Sequence, residues 1–317
     1  MQTNALFANR PIPLASFASV MGVCGLGLAW RVASRAHGVP PQIGECLIGA
    51  GECIFAALLI VWLTRTIAHP QEIAAEAHVA ITACYFGTIA ISCSLVAAGL
   101  LPYSRIGATA MWVIGAVGSA GLVIYLLGKW IEFGIKDYEL TPALFLPVVG
   151  NAVSVYAAVP LGFSEIAWAS FALAVLCWLT LGPVIMYRLM VTEPRLPRKM
   201  APQLAILVSS PAVMASAWYT LTGAANAVFT ILACKAIFFT LLTVRLWKMA
   251  WGEAYNVAMW GYTFPAAALA GALLRASLVD RSPLYAGLAV AALAIATVAV
   301  VLCTAWTVRG WFRRQAA

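Results

Sequence analysis

The sequence predicts an all-α, polytopic membrane protein, and the composition supports this in three ways. The set AVILMFWYC makes up 63% of the 317 residues, only 9% of the residues are charged, and the mean hydropathy is +0.94. A soluble domain is about 45–50% apolar and about 25% charged, so a soluble globule of this size would expose large apolar patches. The composition therefore excludes a water-soluble enzyme, a disordered chain and a disulfide-rich secreted module.

The apolar residues suffice for roughly ten membrane-spanning helices, because each span uses about 20 residues. Turn and polar segments divide the chain at matching intervals. We predict one pore-forming transmembrane domain over 1–317, in which the spans pair as five helical hairpins. The predicted spans cover residues 12–34, 42–66, 78–100, 104–129, 142–160, 163–189, 202–222, 225–249, 255–278 and 283–308.

The basic residues fall mostly on one side of these spans. Cytoplasmic loops of membrane proteins carry an excess of Lys and Arg, so we expect both termini to be cytoplasmic. The same rule accounts for the net charge of +8, and we expect the lipid bilayer as partner and no nucleic acid. The predicted cytoplasmic side holds Arg10, Arg65, Lys129, Lys136, Arg188, Arg195, Arg198, Lys199, Arg245, Lys248, Arg309, Arg313 and Arg314, and the other side holds Arg31, Arg35, Arg105, Arg275 and Arg281.

Proline distinguishes the odd-numbered spans from the even-numbered ones, with Pro183 as an exception. A proline inside a helix removes a hydrogen bond and kinks the helix, and the freed carbonyl must meet protein or a water-filled cavity. Kinked odd spans suggest an inner five-helix ring around a polar path, surrounded by an outer five-helix ring. Prolines are also common in membrane helices generally. The candidate kinks are Pro13, Pro147, Pro211 and Pro265, with Gly87 in the third span.

No motif indicates a cofactor or a metal. The eight cysteines form no C-x-x-C pair, and the chain contains no H-E-x-x-H sequence or paired intramembrane acids. We therefore expect no cofactor, no metal and no catalytic residue, which leaves a membrane-embedded enzyme as the least supported alternative.

Three stretches together resemble a known family. They read TPALFLPVVGNAVS at 141–154, APQLAILVSSPAVMASAWY at 201–219 and MWGYTFPAAALA at 259–270. With the ten-span layout, the chain resembles the tellurite-resistance/dicarboxylate transporter family, which includes the bacterial TehA proteins and the slow-type anion channels of plants. The most specific piece is W-x-Y-T-F-P at 260–265.

The resemblance implies a homotrimer in the plasma membrane, which is the inner membrane of a bacterium, with a separate pore in each protomer. In that family the pore is lined by the odd spans and occluded by a phenylalanine of the ninth span. The corresponding residue here is Phe264, next to Pro265. An aromatic ring in a narrow apolar pore can close it sterically and by dewetting. Without the resemblance, core packing is the ordinary explanation of this phenylalanine.

Hydroxyl groups on the odd spans are candidate donors to an anion, and they add no fixed negative charge. Helix packing is an alternative explanation, because small residues let helix backbones approach. The leading candidates are Ser16, Ser92, Ser154, Ser210 and Thr263, and the wider set adds Ser19, Thr82, Thr88, Ser94, Ser209 and Ser216.

Lys235 and Glu52 are candidate charged residues at similar depths in the eighth and second spans. An unpaired charge at mid-bilayer costs about 2.5–3.5 kcal/mol or more, so such residues normally pair or face water. They could meet across a subunit interface, or each could point inward. Arg275, near the outer end of the ninth span, could draw anions into the mouth, although a snorkelling side chain is the simpler interpretation.

These observations favour an anion channel of the plasma membrane, which passively conducts small inorganic or organic anions. Selection would follow dehydration cost, because fast conduction requires weak binding. The alternative is a secondary carrier or exporter of C4-dicarboxylate, sulfite or tellurite-type oxyanions. A proton-coupled carrier commonly needs a titratable relay within the membrane, whereas His37, His69 and His78 fall in predicted loops.

Overall fold

A computed structural model describes residues 12–249, 255–280 and 282–315, apart from the side chains of Trp247 and of residues 311–315. Within these ranges ten helices are long and apolar enough to cross a membrane, which confirms the predicted number of spans. The helices are α1 (Phe17–His37), α2 (Gln42–Ala68), α3 (Pro70–His78), α4 (Ala80–Leu100), α5 (Arg105–Phe133), α6 (Leu146–Leu161), α7 (Ser164–Val191), α8 (Ile206–Thr222), α9 (Ala227–Arg245), α10 (Thr263–Val279) and α11 (Pro283–Gln315).

The spanning helices alternate in direction, so the bundle has two distinct ends. The terminal end is the one where α1 begins and α11 ends, and the distal end is the other. Short turns at the distal end join α1 to α2, α4 to α5, α6 to α7, α8 to α9 and α10 to α11, and each of these pairs packs together. Gly162 and Gly223 end α6 and α8 with φ of 93° and 69°, values that glycine adopts without a steric penalty. Of the basic residues used to predict sidedness, Arg10 and Arg281 lie outside the described residues, as do the side chains of Arg313 and Arg314.

The helices of the odd spans are α1, α4, α6, α8 and α10, and they are much more buried than the others. Between 61 and 83% of the most apolar stretch of each is buried, compared with 17 to 33% for the even spans. Helix α1 packs on α4, α4 on α6, α6 on α8, α8 on α10, and α10 on α1. These contacts close a cycle, so the five buried helices surround a common axis.

The prolines of the odd spans differ from the expected helix kinks. Pro147 and Pro265 stand in the first turns of α6 and α10, and Pro13 precedes the 3₁₀ turn that leads into α1. A proline at a helix start removes no intrahelical hydrogen bond. Among the four candidates, Pro211 alone lies beyond the first turn of a described helix, in the interior of α8. Gly87 acts through packing, because a Cβ there would lie 3.0 Å from the nitrogen of Pro147.

Helix α3 is a second difference, since it occupies the segment between the predicted spans 42–66 and 78–100, where no helix was expected. Pro70 suits the first turn of a helix because its φ is fixed near the helical value. The Arg65 side chain is buried and donates hydrogen bonds to Glu72 and Glu76 at 3.2 and 2.7 Å. These bonds hold α3 against the end of α2. A short polar helix of this kind has no apolar run, so hydropathy does not predict it.

Candidate functional site

Three cavities lie along the axis of the five buried helices. We call them the terminal, middle and distal cavities, in order from the terminal end. Their volumes are about 40, 20 and 650 Å³. Each cavity is lined by all five odd spans and by no described side chain of α2, α5, α7, α9 or α11. The axis is therefore narrow at the terminal and middle cavities and opens widely at the distal end.

Phe264 separates the terminal cavity from the middle cavity. Of the residues that the structure describes, it alone lines both of them, and it is 5% exposed. Its ring lies against α1, where a Cβ on Gly25 would approach Phe264 Cδ2 to 3.1 Å. Pro265, the next residue, also lines the terminal cavity. The structure thus places this aromatic ring across the axis, between two small apolar spaces.

The middle and distal cavities meet at a ring of three residues. Leu28, Tyr156 and Arg275 line both cavities. The guanidinium carbon of Arg275 lies 5.4 Å from the centroid of the Tyr156 ring, within the range of a cation–π contact. Arg275 therefore faces the axis, so the snorkelling interpretation of this side chain does not hold.

The terminal cavity contains neutral polar groups. Gln203 Nε2 donates to the Tyr85 hydroxyl oxygen at 3.2 Å, so the hydroxyl hydrogen of Tyr85 stays available to another acceptor. Thr88 Oγ1 donates to the carbonyl of Tyr85 at 2.6 Å. All three residues line the cavity and none is acidic, so the cavity offers donors without a negative charge.

Among the described residues, three arginines and no acidic side chain line the distal cavity. Arg31 forms a bidentate ion pair with Glu45, in which Nε donates to Oε1 at 2.8 Å and Nη2 donates to Oε2 at 2.6 Å. It also donates to the carbonyls of Ala98 and Gly99, which joins α1, α2 and α4. Tyr103, in the turn after α4, donates to the same carboxylate at 2.8 Å, and this bond raises the pKa of the Tyr103 hydroxyl.

The hydroxyls that line the cavities are not the five leading candidates. Ser16, Ser92, Ser154, Ser210 and Thr263 are all absent from the lining of the three cavities. Four of these side chains donate to carbonyls of their own turn, and they pack between helices. A cavity is instead lined by Thr88, Ser209, Ser216 and Thr220. Ser209, Ser216 and Thr220 share one face of α8 by their spacing of seven and four, a periodicity that could have singled them out.

Lys235 and Glu52 lie away from the axis and do not form an ion pair in the described structure. The ammonium of Lys235, on α9, lies 3.7 Å from the centroid of the Trp178 ring on α7, so a cation–π contact accounts for it. Glu52 packs between α2 and α4, where its Oε1 would lie 2.8 Å from a Cβ on Gly99. Neither residue lines a cavity.

The described residues contain no group of three or more His, Cys, Asp or Glu side chains that could hold a metal ion. The chemistry of the axis is therefore that of apolar walls, a few neutral donors, and guanidinium groups at the distal end.

Comparison with known proteins gives a family for this architecture. Residues 11–308 match the family model described as SLAC1, voltage-dependent anion channel. The chain is 25% identical over 297 residues to the S-type anion channel SLAH3 of Arabidopsis thaliana, covering 91% of this chain and 46% of the relative. The S-type anion channel SLAH2 of the same plant is 23% identical over 274 residues, covering 84% and 52%.

A bacterial relative matches over most of its length. The tellurite resistance protein TehA homolog of Haemophilus influenzae is 21% identical over 266 residues, covering 82% of this chain and 80% of the relative. This chain spans about half the length of the two plant relatives. The resemblance stated from the sequence is confirmed. The chain is a multi-pass plasma membrane protein that belongs to the SLAC1-type voltage-dependent anion channel family.

Proposed function

We propose that this chain is an anion channel that passively conducts small inorganic or organic anions, and that Phe264 closes its pore. The observation that supports the proposal most directly is the position of Phe264 between the terminal and middle cavities. The pore would run along the axis of the five buried helices, with one pore in each subunit of a homotrimer. The termini would be cytoplasmic, which makes the distal cavity the outer mouth.

The residues that line the three cavities favour the passage of anions over cations. In the part of the chain that the structure describes, no acidic side chain lines the three cavities, and the charged residues that line them are arginines. The middle cavity, at about 20 Å³, has room for about one water molecule. An anion that passes Phe264 must therefore shed most of its hydration, so readily dehydrated anions would pass more easily. Conduction without tight binding is the regime of a channel.

Current recording from the purified protein in lipid bilayers tests this proposal. Phe264→Ala removes the ring from the axis, and we expect the anion current to rise roughly tenfold, which corresponds to about 1.4 kcal/mol of barrier. The recordings should compare chloride, nitrate and malate. Phe238→Ala is the matched control, because Phe238 is 60% exposed on α9. A monodisperse Phe264→Ala protein with wild-type current would contradict the gate.

A secondary carrier for C4-dicarboxylate, sulfite or tellurite-type oxyanions is the alternative, supported by the name of the Haemophilus relative. A carrier would show saturable flux coupled to a proton gradient. His37, His69 and His78 are exposed at helix ends and line none of the three cavities, which favours the channel. We propose no catalytic role, because the family consists of channels and transporters.

A further inference from the structure

One face of α10 runs from the proposed gate to an arginine. Phe264, Ala268, Gly271 and Arg275 all line the middle cavity, and their spacing of four, three and four places them on a single helical stripe. Eleven residues correspond to about 16 Å along a helix. The stripe thus carries an aromatic ring at its terminal end, small residues in its middle and a cation at its distal end.

The guanidinium of Arg275 points back toward Phe264. Its Nη1 donates to the carbonyl of Gly271 at 2.9 Å, one helical turn nearer the gate. A Cβ on Gly271 would lie 3.2 Å from this Nη1, so the glycine makes room for the folded-back side chain. The positive charge consequently lies at the junction of the middle and distal cavities.

The arginines of the distal cavity differ in how their charges are compensated. The charge of Arg31 is matched by the carboxylate of Glu45. Arg275 and Arg35 form no ion pair within the part of the chain that the structure describes, although both line the distal cavity. The hydrogen bond to Gly271 occupies one of the five N–H groups of Arg275. Two cations that form no ion pair in the described structure therefore face an open space of about 650 Å³.

The chemistry of these groups selects a class of ligand. A guanidinium presents two parallel N–H groups that match the two oxygens of a planar oxyanion. A halide ion is spherical, so it interacts with this pair of N–H groups only as a point charge.

We propose that Arg275, assisted by Arg35 at the rim, forms an anion-binding station in the distal cavity, just outside the Phe264 constriction. The station takes small planar oxyanions, such as nitrate or a carboxylate, in preference to chloride. It concentrates anions at the mouth of the pore, because a cleft with one sign of charge raises the local concentration of counter-ions. This inference rests on the proposed channel function, so its test includes binding that is measured without conduction.

The binding test uses chloride as probe. In detergent, the purified wild-type protein should broaden the ³⁵Cl NMR line, and nitrate or acetate should remove the broadening at lower concentrations than bromide. Arg275→Gln should lose most of the broadening. Arg105→Gln should retain it, because Arg105 also lies at the distal end but bonds to the carbonyl of Leu161 and lines no axial cavity.

The conduction test uses ionic strength, in the Phe264→Ala background. Arg275→Gln should lower the current about threefold at about 10 mM salt and hardly at all at about 1 M, because the Debye length falls from about 30 to about 3 Å. Arg275→Lys keeps the positive charge but removes the paired N–H groups of the guanidinium. It should therefore retain the current at low salt and lose the preference for oxyanions. Arg35→Gln alters an exposed side chain and should give a smaller loss in the same direction.

The outcomes separate the two proposals. If Arg275→Gln and Arg35→Gln proteins of normal elution profile bind chloride as wild type does, the station is refuted even when the channel conducts. If every variant fails to conduct but chloride binding still depends on Arg275, the channel is refuted and the station stands. An equal loss of current at low and high salt would show that Arg275 acts on structure, and would overturn the station.

Discussion

A Cβ atom on Gly25 would lie 3.1 Å from Cδ2 of Phe264, so the ring of Phe264 occupies the space that this glycine leaves on α1. Both residues line the middle cavity. A side chain at position 25 must therefore compete with the ring for the same volume.

The first prediction follows from this contact. In the Phe264→Ala background, Gly25→Leu should refill the vacated space, because the leucine side chain projects toward position 264. We expect the anion current to return toward the wild-type level, reversing most of the roughly tenfold gain. Gly49→Leu is the matched control, since a Cβ on this α2 glycine meets nothing within 4 Å. A full Phe264→Ala current in the Gly25→Leu double variant would argue against a shared space.

A second prediction concerns two adjacent serines of α8. Ser209 and Ser210 both donate to the carbonyl of Ile206 and both are buried, at 2% and 0% exposure. Ser209 lines the terminal cavity and Ser210 does not. In the Phe264→Ala background, Ser209→Cys should react with a small anionic thiol reagent, and the added group should block most of the current. Ser210→Cys should keep its current, because the reagent cannot reach it.

The parent Phe264→Ala protein controls for the native cysteines, of which Cys46, Cys53 and Cys234 are exposed. Equal block of both serine variants would contradict the assigned pore axis, as would a loss of current in the parent.

A third prediction concerns the clamp of Arg31 and Glu45 at the distal end. Glu45→Gln removes the charge from the two short hydrogen bonds with Arg31, whose side chain is 13% exposed. Hydrogen bonds to charged groups contribute about 1.5–3 kcal/mol, so the apparent melting temperature in detergent should fall by several degrees. Glu193→Gln should leave it unchanged, because the pair of Glu193 with Arg195 is about two-thirds exposed and contributes little. An unaltered melting temperature for Glu45→Gln would mean that the clamp does not stabilise the bundle.

The spans could be predicted from the sequence because membrane insertion depends on local composition. An apolar run either is or is not long enough to cross a bilayer, whatever its neighbours do. The same reasoning explains the failure at α3, where Pro70–His78 forms a polar helix held by Arg65. Its stability depends on a contact between α2 and α3 that hydropathy does not register.

The lining of the axis could not be predicted in the same way. Successive residues of a helix differ by about 100° in direction. Ser209 therefore lines the terminal cavity, whereas Ser210, which is chemically identical, does not. The effect of the prolines is equally hard to predict from the sequence. Pro147 would kink its helix only if the helix began several residues earlier, and in the structure the helix begins at Leu146. Both questions are decided by how neighbouring helices pack.

The amino-acid sequence by itself determined that the chain is a bundle of ten apolar helices, and its W-x-Y-T-F-P stretch indicated the family and drew attention to Phe264. Tertiary structure alone decided which face of each helix meets the axis, that Phe264 divides two cavities, and that Arg275 folds back over Gly271 while Arg31 is neutralised by Glu45. The reason is physical. Hydrophobicity is a property of each segment, whereas a cavity and its charge balance exist only between segments that lie far apart in the chain.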